Sequence, residues 1–189
     1  MMQKKRIGIF GGSFDPIHMG HLIICNIIKE ELKLDKIIFV PAYRSPHKGT
    51  SKFASPQIRY EMVKLAIEDN EGFEISDYEI KQNRSVYSIE TIDHMQKTYP
   101  RCELFLIVGS DSYNDLPKWK DPTLIKSKVK LVVATRDNKK VSENDYLAKT
   151  PNIEISSTMI RERLKRKLSI KYLVNSKVEH YIYEKDLYN

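Results

Sequence analysis

The stretch GGSFDPIHMGH (residues 11–21) follows directly on the short apolar run IGIF (residues 7–10). The apolar run predicts a buried strand, and residues 19–32 carry apolar side chains at helical intervals. Two glycines between them allow a sharp turn and a close approach of the backbone to a ligand. His18 and His21 are three residues apart, so both imidazoles are expected to face the point where the strand ends.

Strand and helix patterns alternate along the rest of the chain. Strands are predicted at residues 7–10, 36–41, 73–76, 103–108, 130–134 and 153–155, and helices at 19–32, 55–69, 87–97, 158–167 and 177–185. This alternation predicts an α/β protein with a doubly wound, Rossmann-like parallel sheet and C-terminal helices. Such sheets bind ligands at the carboxyl ends of their strands. We expect one domain over residues 1–189, with a polar loop at 136–150.

Composition narrows the class of protein. The chain has 41% hydrophobic and 30% charged residues, which is ordinary for a globular protein. No apolar run approaches the roughly 20 residues of a membrane span, and the basic N-terminus precedes too short an apolar run for a signal peptide. Cys25 and Cys102 have no metal or redox spacing, which favours the cytoplasm. The net charge of +7 reflects either a lysine-rich composition or an attraction for phosphates.

The first motif indicates a phosphate site. Gly11 and Gly12 leave the backbone accessible, and the following helix directs its positive end and its first N–H groups toward the same place. His18 and His21 add two donors, and Gly20 leaves room for a flat group. Two alternatives stay open: a strand–turn–helix with incidental histidines, and a metal site built from His18, His21 and the nearby Asp15.

The whole motif resembles the nucleotidyltransferase superfamily whose signature is HxGH, and more closely the bacterial nicotinate-nucleotide adenylyltransferase family, with its pattern GGxFDPxHxGH. The resemblance implies that the histidines contact the phosphates of ATP. It also implies an ATP site shaped by five further residues of the motif, namely Gly11, Gly12, Ser13, Phe14 and Gly20.

Two further motifs resemble the ATP side of this family. Residues 41–48 (PAYRSPHK) end in Lys48, which the resemblance makes a phosphate ligand and which would otherwise be part of an exposed basic loop. Residues 155–161 (ISSTMIR) follow the last predicted strand. The resemblance places Ser156, Ser157, Thr158 and Arg161 around the triphosphate, although helix capping alone would explain the serines.

Two motifs resemble the acceptor side of the family. In GSDS (residues 109–112) and LPKW (residues 116–119), Asp111 is implied to bind ribose or a metal-bound water, and Trp119 to stack on the pyridine ring. Trp119 could equally be a core residue.

The loop RSVYSIET (residues 84–91) is implied to hold the nicotinate carboxylate through backbone amides near Tyr87 and Ser88. Ser85, Val86 and Ser88 replace the proline, serine and threonine usual in the family.

The resemblance implies transfer of the adenylyl group of ATP to nicotinate mononucleotide, a step of NAD biosynthesis. His18, His21, Lys48 and Arg161 would be catalytic, with Mg2+ carried mainly by ATP phosphates and no dedicated protein metal site. We expect no nucleic-acid or membrane partner, and a homodimer is possible. Rival functions are transfer to nicotinamide mononucleotide or phosphopantetheine, and a basic nucleotide- or RNA-binding module without catalysis.

Overall fold

A computed structural model describes residues 4–44, 54–135 and 141–189. Within these ranges, six parallel strands form one sheet in the order β3-β2-β1-β4-β5-β6. The strands are β1 (Arg6–Gly12), β2 (Lys36–Pro41), β3 (Phe73–Ile75), β4 (Glu103–Gly109), β5 (Lys130–Thr135) and β6 (Tyr146–Lys149). The chain winds outward from β1 in one direction and from β4 in the other. The predicted doubly wound fold is confirmed, with its switch point between β1 and β4.

Helices connect and flank these strands. They are α1 (Met19–Glu31), α2 (Pro56–Ile67), α3 (Tyr78–Lys81), α4 (Ser88–Thr98), α5 (Ser110–Asp115), α6 (Pro122–Lys128), α7 (Ser157–Lys165) and α8 (Ser176–Glu184), with a 3-10 turn at Leu116–Lys118. Side-chain caps fix three of the starts: the oxygens of Ser55, Ser156 and Asn175 accept backbone N–H groups of α2, α7 and α8. None of the described helices is both long and apolar enough to cross a membrane.

Both faces of the sheet are buried, as the side chains of β4 illustrate. Leu104, Leu106 and Val108 pack with apolar residues of α4 and α6, whereas Phe105 and Ile107 pack with those of α1, α2, α7 and α8. Successive side chains of a strand point to opposite faces, so a central strand covered on both sides is apolar throughout. This explains why the run ELFLIV is the strongest strand signal in the sequence.

The last strand was predicted in the wrong place. It is β6 at Tyr146–Lys149, within the expected polar loop, and residues 153–155 form no strand. As an edge strand of four residues, β6 has only Ala148 fully buried, so its pattern is weak. Ile153 and Ile155 are half-buried without joining the sheet. The short helices α3, α5 and α6 were not predicted either.

The prediction that glycines form the turn after β1 is also wrong. Gly11 and Gly12 are the last residues of β1 and pair with Val40 and Pro41. No described glycine has a positive φ, and the left-handed residue of the turn is Phe14, with φ of 49°. Gly11 instead borders open space, since a Cβ at this position would meet no atom within 4 Å. Gly11 therefore leaves the end of β1 accessible.

Candidate active site

The two histidines of the first motif form a stacked pair where β1 leads into α1. Their ring centroids lie 3.6 Å apart with an angle of 25° between the planes. The backbone N–H of His18 donates to Nδ1 of His21 at 3.2 Å. Because Nδ1 accepts this bond, the ring proton of neutral His21 lies on Nε2, which becomes a donor. The ring of His21 also packs against Phe14, edge-on at a centroid distance of 5.3 Å, and against Phe10, tilted at 5.8 Å.

Some of the first N–H groups of α1 already donate to carbonyls of the protein. The N–H of Met19 donates to the carbonyl of Leu173, and that of His21 donates to the carbonyl of His18. The helix therefore offers a ligand fewer of its first N–H groups than the sequence suggested. Gly20 is buried beside His18, and a Cβ there would lie 3.0 Å from Nδ1 of His18. The space at Gly20 accommodates the imidazole of His18.

The third motif contacts the first one directly. The hydroxyl of Ser157 donates to the carbonyl of Pro16 at 2.9 Å, and Arg161 donates to the carbonyl of Asp15 at 2.7 Å. Ser156 caps α7, and Thr158 accepts a hydrogen bond from Arg161 at 3.2 Å. Ser157 and Arg161 therefore fix the first motif from one side. Both motifs end up next to the switch point of the sheet.

Asp15 anchors the loop between β1 and α1 and is only 1% exposed. Its Oδ1 accepts hydrogen bonds from the hydroxyl of Tyr188 at 2.8 Å and from the N–H of Ala54 at 3.0 Å. The guanidinium of Arg161 lies 3.7 Å from Oδ2. Burial raises the pKa of Asp15, while Tyr188, Ala54 and Arg161 oppose that shift. We call Asp15, Ala54, Arg161 and Tyr188 the Asp15 network.

A buried arginine on α2 holds the same loop from the other side. Arg59 is 4% exposed and donates to the carbonyls of Ser13 at 2.5 Å, Ala42 at 2.6 Å, Tyr43 at 3.0 Å and Ala54 at 3.1 Å. Burial lowers the pKa of Arg59, and the charge of Asp15 opposes the shift. Sequence reasoning missed Arg59 and Tyr188, because neither lies in a motif.

The loop before α4 lacks the proline usual in the family, and side-chain hydrogen bonds hold it instead. Arg84 forks onto Glu90 at 3.2 and 2.6 Å, and Glu90 also accepts the N–H of Tyr87 at 3.0 Å. Arg84 further donates to the carbonyl of Ser85 at 3.0 Å, and Val86 is buried beneath the loop. Tyr87 and Ser88 therefore lie at a helix start that side-chain hydrogen bonds hold in place.

The segment after β4 lies against this loop. The ammonium of Lys120 lies 4.8 Å from the centroid of the Tyr87 ring. Its neighbour Trp119 is half-buried and packs against the core on the α4 side of the sheet. Asp111 is exposed in the first turn of α5. Lys120, which directly follows the predicted acceptor motif LPKW, thus contacts Tyr87 of the other predicted acceptor motif.

Lys48, the predicted phosphate ligand, lies outside the described residues. In the described parts of the chain, no three His, Cys, Asp or Glu side chains are placed to hold a metal ion. The alternative of a metal site at Asp15, His18 and His21 is therefore not supported.

The fold and this site define the class of protein. The model of the cytidylyltransferase-like family matches residues 9–163, from β1 through most of α7. A solved structure titled Plasmodium falciparum nicotinic acid mononucleotide adenylyltransferase complexed with NaAD has the same fold, with a TM-score of 0.81 at 21% identity over 97% of each chain.

Proteins similar in sequence show which family within this class the chain belongs to. A protein of Methylacidiphilum infernorum named "Probable nicotinate-nucleotide adenylyltransferase" is 46% identical over 97% of this chain and 92% of its own length. A protein of the same name from Clostridium tetani is 41% identical, covering 99% of this chain and 100% of its own length. The chain belongs to the nicotinate-nucleotide adenylyltransferase family.

Proposed function

We propose that this protein transfers the adenylyl group of ATP to nicotinate mononucleotide, forming nicotinate adenine dinucleotide and pyrophosphate. The observation that carries the proposal is the stacked pair of His18 and His21 at the switch point. It stands in a chain of 189 residues that matches its named relatives over nearly the full length. The acceptor phosphate is already ionised, so the reaction needs no protein nucleophile.

The histidines supply donors for the charge that develops on the transferred and leaving phosphates. Nε2 of His21 donates, because Nδ1 is held by the backbone of His18. His18 is 8% exposed, so its donor acts in a largely desolvated setting, where hydrogen bonds to charge are strongest. The stacking of the rings and the contacts of Phe10 and Phe14 fix both imidazoles before the substrate arrives, which lowers the cost of positioning.

The start of α7 and the end of β1 form the rest of the ATP side. Arg161 and the first N–H groups of α7 neutralise the triphosphate, with Ser157 holding α7 against the first motif. Gly11 allows a phosphate or ribose to lie directly on the backbone. Lys48 adds a second cation to the leaving pyrophosphate.

The start of α4 and the segment after β4 form the acceptor side. Ser88 presents its backbone N–H to the nicotinate carboxylate, since the N–H of Tyr87 already donates to Glu90, and Trp119 stacks on the pyridine ring. Asp111, exposed on α5, accepts ribose hydroxyls. Nucleotidyltransferases generally use a divalent cation with ATP. Here Mg2+ is expected to be held mainly by phosphate oxygens and water, since the described residues form no metal cage.

The test is pyrophosphate release by the purified protein with ATP and Mg2+, offering nicotinate and nicotinamide mononucleotides in parallel. We expect turnover with the acid, and a loss of about 10²-fold or more in kcat for His21→Ala, since an electrostatic donor at the reacting phosphates is removed. The matched control is His180→Ala on α8, outside the site, which should retain the turnover of the unaltered protein.

Three outcomes would contradict the proposal or part of it. Equal turnover of His21→Ala and His180→Ala would remove His21 from the mechanism. Turnover with the amide alone would retain adenylyl transfer and reassign the acceptor. Release with neither mononucleotide would refute the proposed reaction and lead to trials with phosphopantetheine and with RNA binding at low salt.

A further inference from the structure

The acceptor side carries two cations in different surroundings. Arg84 is paired with Glu90 by two hydrogen bonds, at 3.2 and 2.6 Å. Arg84 and the N–H of Tyr87 together lower the pKa of Glu90 to about 2, so the pair is ionised at every physiological pH. The positive charge of Arg84 is therefore compensated within the protein, and a ligand gains little from it.

Lys120 is not compensated in this way. Among the residues that the structure describes, no carboxylate oxygen lies within 4 Å of its ammonium, which rests 4.8 Å from the centroid of the Tyr87 ring. Its charge also lowers the pKa of Glu90, but less than that of Arg84 does. Tyr87 is 51% exposed and Lys120 is exposed as well, so a ligand can reach the ammonium. A cation placed on an aromatic ring is held in position and keeps its ability to pair with an anion.

The position of Lys120 joins the two acceptor motifs. In sequence it follows Trp119, the residue proposed to stack on the pyridine ring. In space it contacts Tyr87, which immediately precedes the first residue of α4. A substituent on a pyridine ring held between Trp119 and the start of α4 therefore lies next to Lys120. Of the two cations Arg84 and Lys120, it is Lys120 whose charge is not compensated.

We propose that Lys120 selects an acceptor whose pyridine ring bears a carboxylate over one that bears an amide. This inference rests on the proposed function and adds to it the residue that determines specificity. A carboxylate forms an ion pair with the ammonium, whereas a neutral amide leaves the charge of Lys120 unpaired at the mouth of the pocket. The backbone N–H groups of α4 do not discriminate as strongly, since an amide oxygen also accepts from them.

The experiment compares Lys120→Met with Lys118→Met. Methionine keeps an unbranched apolar chain for the ring of Tyr87 and removes the charge. Lys118 is the matched control, since it is exposed and pairs with Asp115 at 2.6 Å. For Lys120→Met we expect kcat/KM with nicotinate mononucleotide to fall about tenfold, mainly through KM, and that with nicotinamide mononucleotide to change less than twofold. Lys120→Arg should restore most of the preference.

The acid-to-amide ratio of kcat/KM separates a role of Lys120 in specificity from a purely structural role. An unchanged ratio in Lys120→Met would overturn the assignment, as would an equal loss with both acceptors, which would indicate a structural role through Tyr87. A similar fall of this ratio in Lys118→Met would show that the effect comes from general surface charge, and it would overturn the assignment too. Absence of turnover by the unaltered protein with both acceptors would overturn the proposed function and the role of Lys120 with it.

Discussion

Removal of a single hydroxyl at the C-terminal end of the chain should weaken the loop that carries the histidines. Tyr188→Phe deletes the donor that bonds Oδ1 of Asp15 at 2.8 Å and leaves the aromatic ring in place. Asp15 is 1% exposed, so water cannot replace the lost bond without opening the loop. The N–H of Ala54 and the guanidinium of Arg161 remain near the carboxylate. The variant should therefore fold, with a less stable Asp15 network.

The magnitude follows from the kind of bond. A hydrogen bond to a buried charged group contributes about 1.5–3 kcal/mol, because its loss leaves part of the charge unsatisfied. We expect the free energy of unfolding, from urea denaturation, to fall by about 2 kcal/mol. At about 2–4 °C per kcal/mol for a chain of this size, the melting temperature falls by roughly 5 °C. The KM for ATP should rise as well, since Asp15 holds the loop that contains His18.

Two comparisons isolate the hydroxyl of Tyr188. Tyr183→Phe removes the same group from a side chain that is 53% exposed on α8, and it should change stability by less than about 0.5 kcal/mol. In an Asp15→Asn background, Tyr188→Phe should lower the free energy of unfolding by about 1 kcal/mol less than in the unaltered protein, because a neutral acceptor forms a weaker hydrogen bond. If Tyr188→Phe and Tyr183→Phe were equally stable, the account of the Asp15 network would be refuted.

Two further predictions concern pH and glycine. Burial raises the pKa of Glu79 to about 7, although a hydrogen bond from Thr91 opposes the shift. Between pH 4.5 and 7, native Glu79 therefore keeps a proton that the unfolded chain has released. Stability should therefore fall by about 2–3 kcal/mol from pH 5 to pH 8 through this group, and urea denaturation of Glu79→Gln should show that part of the decline removed. Gly11→Ala should keep its melting temperature and raise KM for ATP, since its Cβ has free space in the protein, whereas Gly20→Ala should lower kcat by displacing His18. Equal kinetic effects of the two alanines would contradict the different roles of these glycines.

Much of the fold was predictable because its strongest elements carry local signals. The strands β1, β2, β4 and β5 are apolar runs next to turn residues, and their alternation with helical patterns requires a parallel sheet. The edge strand β6 was missed, since it is four residues long with one buried side chain, Ala148. The turn at Phe14 was assigned to Gly11 and Gly12, because a sequence pattern gives the residues that tolerate a left-handed backbone but not the residue that adopts it.

The candidate site was predictable where its residues belong to contiguous motifs. His18, His21, Ser157 and Arg161 were named from such motifs, and the structure brings them to the same end of the sheet. Arg59 and Tyr188 could not be named, because their contacts with the first motif span 46 and 173 residues of sequence. Lys120 was missed for a different reason: its role depends on Arg84 being neutralised by Glu90, which only the spatial arrangement reveals.

The Asp15 network explains why the first motif needs a carboxylate that faces away from solvent. Burial of a carboxylate is costly, so Tyr188, Ala54 and Arg161 together stabilise Asp15, and loss of any one of them weakens the loop. These partners come from the C-terminal end, from just before α2 and from α7. The loop with His18 is therefore held by parts of the chain that are distant in sequence. A substitution far from the phosphates, at Tyr188 or Arg59, should therefore impair nucleotide binding before it unfolds the sheet.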